Sequence, residues 1–156
     1  MKQPFFLLFI FMTMLQFSAC QSDISAHLNG TNWEATNFSV TMPSYRSSDS
    51  SYVKKADKSN WESVLQGKPS KLHFNSDGSY SEEHFNLNND LILTYQGAWE
   101  ITGDSIIFNI QKPAKIKHTY LISLDDAKST LQLSRTYDHD RDKQADDQQV
   151  VIYKKQ

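Results

Sequence analysis

The chain has 156 residues, 38% of them apolar, 22% charged and 12% aromatic, which is material for one ordinary domain. Sixteen Lys and Arg against eighteen Asp and Glu leave a net charge of −2 and a pI near 6.2. That balance lacks the basic excess on which nonspecific phosphate binding depends, so no nucleic-acid partner is expected, and the lone cysteine, Cys20, excludes an intramolecular disulfide, a cysteine-rich zinc site and a Cys-x-x-Cys redox centre.

The chain opens with Lys2, then an apolar run from Phe5 to Leu15, then the small pair Ser18-Ala19 directly before Cys20. These are the charged, apolar and cleavage regions of a secretory leader. At about 1.5 Å per helical residue the run reaches only about half of a hydrocarbon core roughly 30 Å thick, so it is too short to remain as a span. Cys20 after Ser18-Ala19 resembles the lipobox of bacterial lipoproteins. The resemblance implies removal of residues 1–19, acylation of Cys20 with palmitate-type chains, and membrane anchoring through two or three such chains. Gln21 in the next position resembles an outer-membrane sorting signal. The expected organisation is therefore a leader over 1–19, a lipid-anchored tether over 20–27 and a single domain over 28–156. Losing the leader removes more than half of the phenylalanines and every methionine but Met42, which leaves a lean core.

From Thr31 onward, apolar and polar residues alternate in short runs separated by turn residues, the pattern of half-buried strands. The runs are Trp33–Val40, Lys71–Phe74, Ser79–Leu87, Leu91–Ile101, Ser105–Ile110, Ile116–Leu124, Thr130–Tyr137 and Gln148–Lys154. Asn75-Ser76-Asp77-Gly78 and Thr102-Gly103-Asp104 supply the positive φ that tight hairpins require, and the strands flanking the second should pair. Eight strands with short sequential connections predict an all-β, up-and-down antiparallel barrel. Residues 41–60, rich in Ser, Asp and Lys, read as a long loop. A single short helix is predicted over Ser59–Leu65, with Ser59 as cap, Trp61, Val64 and Leu65 on one face, and Gly67 and Pro69 ending it; it would lid or plug one end of the barrel.

Four motifs in order, Leu28-Asn29-Gly30-Thr31-Asn32-Trp33, Leu72 to Tyr80, Gly97-Ala98-Trp99-Glu100-Ile101 before Gly103-Asp104, and the closing Tyr153-Lys154-Lys155, resemble the lipocalin-like lipoproteins of Bacteroidetes. The likeness covers residues 28–155. It implies a lipocalin-like barrel and binding of a small apolar or amphipathic ligand.

Alternation also nominates the interior. Leu131, Leu133, Arg135 and Tyr137 share one face, so Arg135 points where apolar residues point. The favoured reading stacks its guanidinium over Trp33 to close the barrel, as the resemblance implies; the other makes it an anchor for a ligand carboxylate or phosphate. His118 shares a face with Tyr120, and Tyr80 with Glu82 and His84, although Phe85 and Leu87 define the opposite face of that strand, which predicts either a bulge or a mixed interior there. Glu82, His84, His118 and Arg135 are expected to converge in an apolar cup, with Trp33, Tyr95, Trp99 and Tyr120 as further ligand-binding residues and Leu93, Phe108 and Leu133 as cavity or core. The acidic loop Asp138-His139-Asp140-Arg141-Asp142, followed by Asp146-Asp147, places carboxylates at alternate positions as a calcium loop does. Its sixth and twelfth positions are Lys143 and Gln149, however, so a solvated hairpin loop is preferred and no metal is expected.

With the one thiol assigned to lipid and neither Gly-x-Ser-x-Gly nor His-Glu-x-x-His present, neither catalysis nor a cofactor is expected. The functional expectation is an outer-membrane-anchored, ligand-binding lipoprotein. One alternative is an interaction module for an envelope protein or polysaccharide, with a filled barrel and working loops such as Tyr45–Tyr52. A hydrolase or isomerase would instead need His118 or His84 within hydrogen-bond reach of a carboxylate in an open cleft.

Overall fold

A computed structural model describes residues 24–156; the expected leader 1–19 and the expected lipidation site Cys20 lie outside them. Nine strands follow a helical turn over 24–28: β1 (Thr31–Met42), β2 (Tyr52–Ala56), β3 (Lys68–Phe74), β4 (Ser79–Phe85), β5 (Leu91–Thr102), β6 (Ser105–Lys112), β7 (Ile116–Leu124), β8 (Thr130–Tyr137) and β9 (Asp147–Lys155). All neighbours are antiparallel, in the order β2-β1-β3-β4-β5-β6-β7-β8-β9, and β1 also pairs with β9. That last ladder closes an eight-stranded barrel. The fold is lipocalin-like, as its connectivity from one hairpin to the next predicts.

β2 is the strand that the composition conceals. It pairs Tyr52–Ala56 with Met42–Phe38 of β1, in the middle of the segment expected to be loop. Its residues Tyr52-Val53-Lys54-Lys55-Ala56 show no apolar alternation, because only Ala56 is buried. β1 is long enough to share one edge, giving Thr31–Glu34 to β3 and its upper half to β2. A bulge between Ala35 and Asn37 in the β1–β9 ladder shifts the phase of β1, so that Trp33 and Ala35 point inward below it and Val40 and Met42 are buried above it. The expected bulge near His84 is present: β5 pairs Leu93 with His84 and then Leu91 with Phe85, leaving Ile92 unopposed.

The turns behave as their residues require. Gly78 and Gly103 hold φ of +81° and +63°, values a β-carbon disfavours. Asn75 closes its hairpin through Asn75 N–H to Ser79 O and Gly78 N–H to Asn75 O. The predicted helix is shorter than its motif. It spans Trp61–Leu65 with Asn60, not Ser59, at the N-cap; the Ser59 hydroxyl instead donates to Asp57, a local turn that competes with capping. Gln66, in the left-handed conformation, ends it through its N–H to Glu62 O.

The lower end of the barrel, where β1 enters, is filled. Leu28, Trp33, Leu72, Phe74, Ile106 and Leu131 are essentially excluded from water, and burying side chains of this size stabilises a fold by about 1.5–3 kcal/mol each. Trp33 Nε1–H donates to Thr31 Oγ1 at 2.7 Å, so the indole is buried with its one donor satisfied. From Phe74 of this plug a continuous aromatic series runs through Trp99 on one side and Phe108 and Tyr80 on the other, with centroid separations of 5.1 Å for Phe74–Trp99, 6.1 Å for Phe74–Phe108 and 4.6 Å for Phe108–Tyr80.

Candidate functional site, a cup in the upper half of the barrel

Tyr80 and Phe108 of this aromatic series line the bottom of a two-part cup. An inner recess of about 50 Å³ is lined by Tyr80, Glu82, His118, Tyr120, Gln149 and Tyr153 among apolar neighbours. Above it, an outer chamber of about 250 Å³ opens at the barrel mouth, and its walls include Phe38, Trp61, Leu65, His84, Phe85 and Ile92. Glu82, Gln149, Val151 and Tyr153 belong to both linings, so the recess and the chamber adjoin. The helix Trp61–Leu65 forms one side of the mouth through its apolar face.

Glu82 is the carboxylate common to both linings. Tyr153 O–H donates to Glu82 Oε1 at 3.4 Å, and His84 Nε2 lies 3.5 Å from the same oxygen. That separation is longer than a hydrogen bond, and Nε2 is buried without a hydrogen-bond partner. The His84 ring stands perpendicular to Tyr95 at 5.5 Å. Burial and the Glu82 charge push the Tyr80 and Tyr153 phenols up. Tyr120 is raised as well, by burial first, although Arg135 opposes the shift. All three phenols therefore keep their protons and remain donors at neutral pH. His118 moves the other way: burial, then the nearby Arg135 charge, lower its pKa. The recess thus offers phenol donors, one carboxylate acceptor and an imidazole held toward its neutral form.

Arg135 does not reach Trp33. Its guanidinium lies 4.1 Å from the Tyr137 ring centroid and 4.8 Å from that of Tyr120, and its Nε–H donates to Gln149 Oε1 at 2.7 Å. Register explains the correction. β9 places Gln149 opposite Arg135 but Lys155 opposite Trp33, so Arg135 and Trp33 sit at opposite ends of the barrel. The cation over Trp33 is Lys155, at 5.8 Å. Alternation gives the face of a residue but not its height.

Of the residues nominated from sequence, Glu82, His84, His118 and Tyr120 line the cup, and Arg135, which is in neither lining, backs it through Tyr120 and Gln149. Trp33 belongs to the lower plug, Trp99 packs edge-on against Phe74 outside the cup lining, and Tyr95 stands behind His84. Gln149, Tyr153, Tyr80 and Trp61 were not singled out as ligand contacts. The signal for two of them was available, because alternation along Gln148–Lys154 puts Gln149, Val151 and Tyr153 on one face.

The acidic loop is built differently from a free, solvated turn. Asp138, Asp140 and Asp147 bring carboxylate oxygens within 4.8 Å of one another, and Asp147 is only 1% exposed. These oxygens accept backbone N–H groups: Asp147 from His139 and Asp140, and Asp138 from Asp142 and Lys143. Asp140 and Asp142 accept from Arg46 and Ser47. The loop is thereby stitched to the Tyr45–Ser47 turn, three of the eight residues of the Tyr45–Tyr52 segment that the interaction-module alternative would use.

Neither a scan of protein-family models nor a search of curated proteins finds a match for this chain.

Proposed function

We propose that this chain is a lipid-anchored lipoprotein of the outer membrane, of the Bacteroidetes lipocalin-like type, that holds a small amphipathic ligand in the upper half of its barrel. The anchor rests on the leader and on the position of Cys20. Ligand binding rests on one observation: a chamber of about 250 Å³, with Phe38, Trp61, Leu65, Phe85 and Ile92 among its walls and Gln66, Lys68 and Ser70 at its polar side, adjoins a recess lined with phenols, Glu82 and His118. A concave site that sets apolar and aromatic walls beside convergent polar groups is the usual form of a small-molecule site. Its size limits the ligand. The chamber is close to the roughly 300 Å³ at which such sites begin, and the recess has room for a polar head group but not for a ring system. A short-chain amphiphile fits, with its body against Trp61, Leu65 and Phe85 and its polar end at Tyr153, Glu82 and His118. The reading involves no chemistry on the ligand.

The filled lower half favours one rival, an interaction module with no internal ligand. Native mass spectrometry with decanoate, decylamine and decanol separates the two. A saturable one-to-one complex is expected with one of the three, with Glu82→Gln changing the head-group preference and Arg135→Ala weakening retention in a folded protein. Binding of none of the three would leave the filled-barrel module as the better account.

A further inference from the structure

The upper part of β5 is a strand edge left open and unguarded. The β5–β6 ladder begins at Gln96–Lys112, whereas the β4–β5 ladder continues to Phe85–Leu91. Residues Leu91–Tyr95 therefore have β4 on one side and no strand on the other. Other stretches without rungs on one side carry a cation: Lys54 and Lys55 on β2, Lys68 at the start of β3, Lys117 on the part of β7 above the last β7–β8 rung, Leu121–Ser134, and Arg135 on β8 facing it. Charged residues of this kind are how proteins keep open edges from pairing. Leu91-Ile92-Leu93-Thr94-Tyr95 has no charge, no Pro and no Gly, and Leu91 and Ile92 are 55% and 63% exposed. Leu87 on the same hairpin is exposed too.

We propose that Leu91–Tyr95 is a self-association edge, on which a second copy of this chain adds its own β5 in antiparallel order about a two-fold axis. A two-fold contact must be self-complementary, and this segment is. Antiparallel pairing about Leu93 sets Leu91 of one copy against Tyr95 of the other and Ile92 against Thr94, with no like charges opposed. The open edge presents main-chain N–H and C=O groups, which another strand satisfies and a hydrocarbon phase does not; that favours a second copy over a bilayer. The bulge leaves Ile92 unopposed by β4, so its side chain is free to be covered from the other copy. A five-residue edge with Leu87 and Ile92 is smaller than the roughly 1,200 Å² at which stable interfaces begin, so the dimer is reversible and concentration-dependent. Ile92 also borders the chamber, which places the second copy at the rim of the cup.

Sedimentation velocity of the purified protein across a concentration series tests this. The expected result is a monomer–dimer equilibrium that Ile92→Lys weakens by about tenfold or more, with an unchanged circular dichroism spectrum and Tm. Amide hydrogen exchange at Leu93–Tyr95 should also slow as the wild-type concentration rises. Should Ile92→Lys fail to fold, Thr94→Lys on the same edge carries the same expectation. A monomer at every concentration would overturn the proposal, as would a dimer that either folded lysine variant leaves intact. A monomer that co-floats with phosphatidylcholine vesicles through this hairpin would overturn it in favour of a bilayer contact.

Discussion

Replacing Gly97 with alanine tests the packing of the barrel wall at its tightest point. Gly97 lies on β5 opposite Ile110 of β6, and a β-carbon built there would stand 2.0 Å from Asn109 O and 3.0 Å from Ile110 Cα. Both obstacles are main chain in a paired strand, so no side-chain rotation relieves the overlap. The two strands must separate by about an ångström, which places the cost at the upper end of the 1–3 kcal/mol typical of overpacking. At about 2–4 °C per kcal/mol for a domain of this size, Tm should fall by roughly 10 °C. Gly78→Ala is the control. That position has φ +81° and nothing within 4 Å of a β-carbon, so its cost is the left-handed backbone alone, about 1–2 kcal/mol. Gly78→Asn should recover part of that loss, because asparagine tolerates this region; Gly97→Ser should recover none. Urea denaturation monitored by tryptophan fluorescence measures all four variants. A Gly97→Ala protein within about 0.5 kcal/mol of wild type, the ordinary range for a surface substitution, would refute the reasoning.

Trp33→Ala should cost about 3–5 kcal/mol, as expected for removal of a fully buried aromatic ring, whereas Lys155→Ala, which removes only the cation over that ring, should cost under about 1 kcal/mol; urea midpoints compare them directly, and equal losses would contradict the geometry of the lower plug. The His118 pKa is lowered in the folded state, so below the ordinary value of 6.5 the unfolded chain binds more protons at this residue than the folded one. Its contribution is therefore complete above pH 6.5 and is lost as pH falls toward the lowered value. His118→Gln should accordingly lose less stability than wild type between pH 7.5 and 5.5, and an identical loss in the two proteins would mean that the imidazole is not held neutral.

The parts of this architecture legible in the sequence are those determined by neighbours along the chain. A strand with one buried face writes its period into its own residues: Ile106, Phe108 and Ile110 are buried at every second position, and so are Ser70, Leu72 and Phe74. Asp-Gly and Gly-Asp turns then dictate that successive strands pair. β2 escaped because it buries almost nothing; its place beside β1 follows from β1 outrunning β3, a relation between two distant segments. The missed bulge at Ala35–Asn37 is of the same kind, since a change of phase appears only when β9 is set beside β1.

The site was half legible for the same reason. Facing is a local property, so Glu82, His84, His118 and Tyr120 were correctly turned inward. Height in the barrel is not local. It depends on the register of every ladder between two residues, and in a tilted barrel that register places Trp33 beside Lys155 and Arg135 beside Gln149. An inward arginine paired with the wrong tryptophan reads as a structural closure. Placed behind Tyr120 at the wall of the cup, against Gln149 and two phenol rings, the same arginine has no carboxylate within ion-pair distance among the described residues. A guanidinium retains its planar set of donors whatever it stacks upon. Its charge therefore acts on the recess, lowering the pKa of His118 and opposing the rise at Tyr120, while Glu82 acts on the same phenols from the other side. On the proposed reading, a polar head in the recess would meet Glu82 in the lining and Arg135 behind Tyr120, and removing either group should change which head groups are held.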